Sequence, residues 1–106
     1  MKLLTETIKA KLPKLYATEK IKTKDKKFVC RFFDPIGNWS WLVAEGEKQE
    51  DGDWLFFGLV DGFEKEWGYF SLSELESVDL SMGLGIERDI NFGKISDHPE
   101  WTKEEE

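Results

Sequence analysis

The run from Trp54 to Val78, WLFFGLVDGFEKEWGYFSLSELESV, restricts the fold more than any other part of the chain. Its first stretch, Trp54 to Val60, is apolar at consecutive positions, so both faces of a strand built from it need cover and the strand belongs in the middle of a sheet. After Phe70, Ser71-Leu72-Ser73-Glu74 has the spacing of a capping box, in which the serine oxygen accepts an orphan amide hydrogen and the glutamate reaches back to the cap. A short helix follows, with Leu72, Leu75 and Val78 toward the core. Between strand and helix, two hairpins compete. A turn at Asp61-Gly62 pairs Val60 with Phe63 and Phe56 with Trp67, but sets Leu59 against Glu64 and Phe57 against Glu66. A turn at Glu64-Lys65 pairs Val60 with Tyr69 and Leu59 with Phe70, buries fewer charges and is preferred.

The flanking sequence fills in an α+β fold. Leu4, Ile8, Leu12, Leu15 and Tyr16 recur at helical spacing, with Thr5 placed to cap the first turn and Pro13 to interrupt the helix. Ala17 to Lys26 is lysine-rich without period and reads as a solvated surface loop. Lys27 to Phe33 is an inner strand with Phe28, Cys30 and Phe32 on one face and Val29, Arg31 and Phe33 on the other. Asp34-Pro35-Ile36-Gly37-Asn38 supplies a turn, and Trp39, Trp41 and Val43 alternate with Ser40, Leu42 and Ala44 in a second strand. Glu45 to Asp53 is a charged connection containing the turn dipeptide Asp51-Gly52. Ile86 to Phe92 alternates as a last strand, and a polar tail starts at about residue 94. The expected architecture is one domain over residues 1–106. It has an antiparallel sheet of about four to five strands, an N-terminal helix and a short helix after the central strands.

Composition removes several kinds of chemistry. With one cysteine, Cys30, and one histidine, His98, the chain has neither an internal disulfide nor a Cys/His set for zinc or haem. No stretch approaches the length of a membrane span and the N-terminus lacks a signal peptide, so a cytoplasmic location is expected. The net charge of −7 hides a division: residues 1–33 hold ten Lys/Arg against Glu6, Glu19 and Asp25, and the rest is strongly acidic. Three readings follow: a basic N-terminal element docked on an acidic sheet, a nucleic-acid patch, or an acidic face for basic proteins.

The candidate binding residues are Trp39, Trp41 and Trp67 as an aromatic platform, Asp61, Glu64 and Glu66 as carboxylates, and Arg31 and Arg88 as strand-borne cations. Each has a plainer reading. The tryptophans fill a core, the carboxylates are a chance cluster in an acid-rich chain, and each arginine needs a carboxylate partner. Gly83-Leu84-Gly85 lacks the third glycine of a dinucleotide fingerprint. Cys30 reads as a buried small residue. No catalytic residue, metal site or cofactor is predicted.

Trp39-Ser40-Trp41, Phe57 to Gly62, Gly68 to Leu75 and Gly83 to Asp89, with the opening Met1-Lys2-Leu3-Leu4-Thr5 and Leu12-Pro13-Lys14-Leu15-Tyr16, resemble the bacterial family known as domain of unknown function 2958. The resemblance implies a small protein carried by plasmids, conjugative elements and phages, and brings no activity or catalytic residues with it. The functional expectation is a non-enzymatic protein that binds a macromolecular partner through its acidic or aromatic surface. The alternatives are a nucleic-acid binder using Lys9 to Arg31 and, with least support, a small enzyme or ligand-binding protein. The sequence leaves the oligomeric state open.

Overall fold

The structure, a computed structural model, describes residues 1–92. A helix α1 (Glu6–Lys11) precedes β1 (Cys30–Phe33), β2 (Ser40–Lys48), β3 (Trp54–Asp61) and β4 (Lys65–Ser71), followed by α2 (Leu72–Glu76) and β5 (Glu87–Arg88). The strands form one antiparallel sheet in the order β4-β3-β2-β1-β5. The middle strand is β2, with β3 enclosed between it and β4. The polar tail expected from about residue 94 lies outside the described residues.

The sheet has two differently covered faces. On the helical face, Cys30, Phe32, Val43, Phe56 and Phe70 are buried with Leu3, Leu4, Leu75 and Ile86. Ile8 of α1 with Leu12 just beyond it, and Leu72 and Val78 around α2, pack onto the same cluster. Both caps form as their residues require: the Thr5 side chain accepts from the Ile8 amide, and Ser71 with Glu74 completes a capping box. Asp53, at the start of β3, adds a second tie by accepting from the Ser73 amide and hydroxyl. That hydroxyl is the main reason the Asp53 carboxyl lies below its ordinary range.

Helix α1 is shorter than the apolar spacing predicts. It ends at Lys11, and Leu12 is extended because the residue before a proline is excluded from helical geometry by the proline ring. Leu15 and Tyr16 therefore leave the helix. The segment from Leu15 to Val29 crosses the opposite face of the sheet as a strap, most of it built from successive four-residue turns. It is anchored and not simply solvated. Phe28 stacks on Trp67 at 5.7 Å, so it lies with Leu42, Leu59 and Phe92 on the strap face and not with Cys30 and Phe32. Strand β1 begins only at Cys30.

Strand β2 runs through Lys48, past the expected end at Ala44, and contains a bulge. Val43 is opposite Gly58 and Glu45 is opposite Phe57, leaving Ala44 as the extra residue. A bulge changes which residues share a face. Trp41 and Val43 face the helices, and beyond the bulge it is Gly46 that does so, opposite Phe56. Glu45 consequently points under the strap. Gly58 fits opposite the bulge because it has no side chain: a Cβ there would stand 1.9 Å from the Leu42 carbonyl oxygen.

The β3–β4 hairpin takes neither expected register. Asp61 pairs with Lys65, Leu59 with Trp67 and Phe56 with Phe70, around a loop of Gly62, Phe63 and Glu64. This register places Phe56 and Phe70 together on the helical face and lets Glu66 project outward beside Val60. It buries the aromatic pair and leaves the tip acidic. The last strand is also shorter than its alternation predicts. Asp89 accepts from the Asn91 amide on its side chain and from the Phe92 amide on its carbonyl, which turns the chain after Arg88. Ile90 is left exposed and Phe92 is carried to the strap face.

Candidate functional site

The candidate residues separate into places of different character. Trp39 and Trp41 come together at one end of the sheet, with ring centroids 5.9 Å apart and planes at 29°. Phe63, at the hairpin tip, meets Trp39 edge to face at 5.4 Å. The residue between hairpin and tryptophan has to be glycine, because a Cβ on Gly62 would lie 2.4 Å from the Trp39 ring. Phe63 is 95% exposed. Asp61, Glu64 and Glu66 belong to the same hairpin, and the β1–β2 loop at this end adds exposed Ile36. The sequence reading missed Phe63. Its signal was a large aromatic residue in a turn otherwise made of Asp, Gly, Glu and Lys.

The remaining candidates make contacts within the fold. Trp67 stacks on Phe28 and Phe57, each at 5.7 Å, inside the strap-face cluster. Its buried indole Nε1 finds no acceptor among the described residues. Arg31 forms an ion pair with Asp89 at 3.0 Å, donates to the Ser40 hydroxyl through Nε and Nη2, and lies over the Phe33 ring. Arg88 donates to the carbonyls of Lys2 and Leu3, so its partners are backbone oxygens and not the expected carboxylate, and it ties the N-terminus to the sheet. Burial pushes the Cys30 thiol up to about 12, against the opposing pull of Arg88. At neutral pH this cysteine is a protonated, apolar core residue.

The strap face holds a second polar arrangement, which the sequence reading did not find. Glu45 is 3% exposed, and its carboxylate accepts from the amides of Tyr16 at 2.8 Å and Thr18 at 3.0 Å and from the Thr18 hydroxyl. Lys26, 7% exposed, donates to the Thr18 carbonyl and, at 3.0 Å, to its hydroxyl. Thr18 thus bridges a buried carboxylate to a buried ammonium, and each charge is hydrogen-bonded, the ammonium through two of its three N–H groups. Tyr16 is held at φ 70 to aim its amide at Glu45, a left-handed conformation that costs a non-glycine residue roughly 1–2 kcal/mol. The exposed rings of Tyr16 and Tyr69 meet at 6.4 Å. The Tyr16 hydroxyl, followed by partial desolvation, raises the Tyr69 hydroxyl above its ordinary value. Beside these rings a cleft of about 380 Å³ opens over Phe57.

The comparison with known proteins adds a family. A family model described as protein of unknown function (DUF2958) matches residues 3–105. The chain belongs to that family. No curated protein and no solved structure matches it. In this DUF2958 chain, no three His, Cys, Asp or Glu side chains converge on a possible metal position among the described residues. No described helix is long and apolar enough to cross a membrane.

Proposed function

We propose that this DUF2958 protein works by binding, not by catalysis, and that the hairpin end carrying Trp39, Trp41 and Phe63 is its contact surface for a basic protein. The observation that carries this reading is Phe63, a phenylalanine left 95% exposed at the tip of a hairpin. Covering such a side chain contributes about 1.5–3 kcal/mol, and aromatic anchors of this kind dominate protein interfaces. Asp61, Glu64 and Glu66 flank the aromatic tip along the hairpin and outnumber the one cation there, Lys65. A basic partner complements them, and its approach is steered by the net charge of −7. We place the interaction in the cytoplasm, consistent with a single cysteine that lies buried. Carriage by a mobile element rests on the family resemblance alone.

The nucleic-acid alternative draws on Lys20, Lys22 and Lys24, which are exposed on the strap. Lys26 is withdrawn from that set by its bonds to Thr18. A photo-reactive amino acid at position 63 tests both readings in cells, with the exposed position Glu50 at the other end of the sheet as control. The expected result is a crosslink from position 63 to a protein with a basic surface, lost on Glu64→Lys with Glu66→Lys. Equal crosslinking from both positions overturns the proposal. Crosslinks to nucleic acid that disappear on charge reversal at Lys20, Lys22 and Lys24 promote the alternative.

A further inference from the structure

The cleft between strap and sheet is separate from the hairpin end, and its construction asks for a ligand. Its floor is Phe57, its rim is formed by Tyr16 and Tyr69, and Lys22 and Lys26 enter from the strap. The volume of about 380 Å³ lies within the range of small-molecule sites.

Three observations define the chemistry. First, the Lys26 ammonium has three N–H groups, and its described acceptors, the carbonyl and hydroxyl oxygens of Thr18, take two. The ammonium lies 5.8 Å from the centroid of the Phe57 ring. Second, Glu45 also lines the cleft, but both of its oxygens are turned to donors on Tyr16 and Thr18, and neither takes the remaining Lys26 hydrogen. Glu19 is exposed to water, and Lys22 adds a second cation to the lining. Third, Tyr16 holds its ring at the rim through a backbone conformation that L-residues rarely adopt, the kind of local strain that persists where surrounding structure fixes it and that gathers at ligand sites.

We infer that this cleft binds a small molecule combining a flat ring with an anionic group, the anion on Lys26 and Lys22 and the ring against Phe57 and Tyr69. A carboxylate or a phosphate satisfies the same donors, so the aromatic anion is the ligand class, and the two head groups are compared directly. The probes are benzoate and phenyl phosphate, added to the full chain and followed by the NMR signals of the Tyr16 and Tyr69 rings, with inorganic phosphate and phenol as single-feature controls. Lys22 and Tyr69 are exposed, so Lys22→Ala and Tyr69→Ala leave the fold intact, as a melting curve verifies. The expected result is saturable binding of one or both aromatic anions, tighter than either control and weakened at least about fivefold by each variant. The stronger of the two probes identifies the head group. Absence of binding at about 5 mM, binding unchanged in both variants, or inorganic phosphate binding as tightly as phenyl phosphate overturns the inference.

Discussion

The two faces of the sheet are covered by different physics. On the helical face, Phe32, Val43, Phe56 and Phe70 lie under α1, α2 and the N-terminal residues, and the cover is held by apolar contact. On the strap face, the buried apolar set is small, Leu42, Leu59 and Phe92 with Phe28 and Trp67 beside them, and the strap is held chiefly by the buried Glu45 carboxylate and the donors aimed at it, with Glu47 accepting from the Leu15 amide. Apolar burial is non-directional and tolerates adjustment. A carboxylate cradled by two amides and a hydroxyl depends on fixed directions and leaves several part-buried donors unpaired when it is lost. One face is thus held by area and the other by geometry.

The sharpest way to break this contrast is to truncate each face in turn. Phe56→Ala is expected to cost about 3–5 kcal/mol in denaturant unfolding, since it removes the ring that contacts Phe32, Trp54 and Phe70. Glu45→Ala is expected to cost about 2 kcal/mol and to act locally. Hydrogen exchange should accelerate at the Tyr16 and Thr18 amides while those of β1 stay protected. A global loss as large as that of Phe56→Ala would erase the distinction between the faces.

A smaller effect concerns the tie between β3 and α2. The Asp53 carboxyl is depressed in the folded state, first by the Ser73 hydroxyl, so its contribution is present above the unfolded carboxylate value and is lost as pH falls through the folded one. The melting temperature should therefore drop below about pH 4, and Asp53→Asn should flatten part of that acid limb. An identical pH profile in the variant would remove Asp53 from the account. The smallest stability change is expected at the hairpin tip. Phe63→Ser should leave the unfolding free energy within about 0.5 kcal/mol while abolishing the crosslinks of its neighbour, with the photo-reactive group moved to Glu64. Retained crosslinks would separate the exposed ring from the binding surface.

The helical face was legible in the sequence because its signals are local: Thr5 and Ser71 cap where their spacing places them, and Leu72, Leu75 and Val78 pack where their period predicts. The strap face was not. Its organisation depends on one extra residue in β2, and nothing about Ala44 distinguishes a bulge from regular alternation in the sequence. Without the bulge in view, Glu45 reads as the start of a charged loop and Lys26 as one more solvated lysine. The hairpin register failed for a related reason. Counting buried charges favoured a tighter turn, whereas the fold gains more by setting Phe56 opposite Phe70 and leaving Phe63 in water. That choice also hid the candidate site, because neither expected register left Phe63 at the tip of the turn.

The sheet order separates the strands by how far the chain must travel to join them. β2, β3 and β4 are successive hairpin partners, whereas β5 reaches β1 across the whole meander, and Arg31 meets Asp89 over 58 positions. Closing so long a loop loses chain entropy before any contact compensates for it, so such contacts form late in folding. Asp89→Ala should then quicken unfolding and leave the refolding rate nearly unchanged, as stopped-flow kinetics would record. The fifth strand is thus expected to act as a latch on a sheet that has already assembled, its strength setting how long the folded molecule lasts more than how soon it forms.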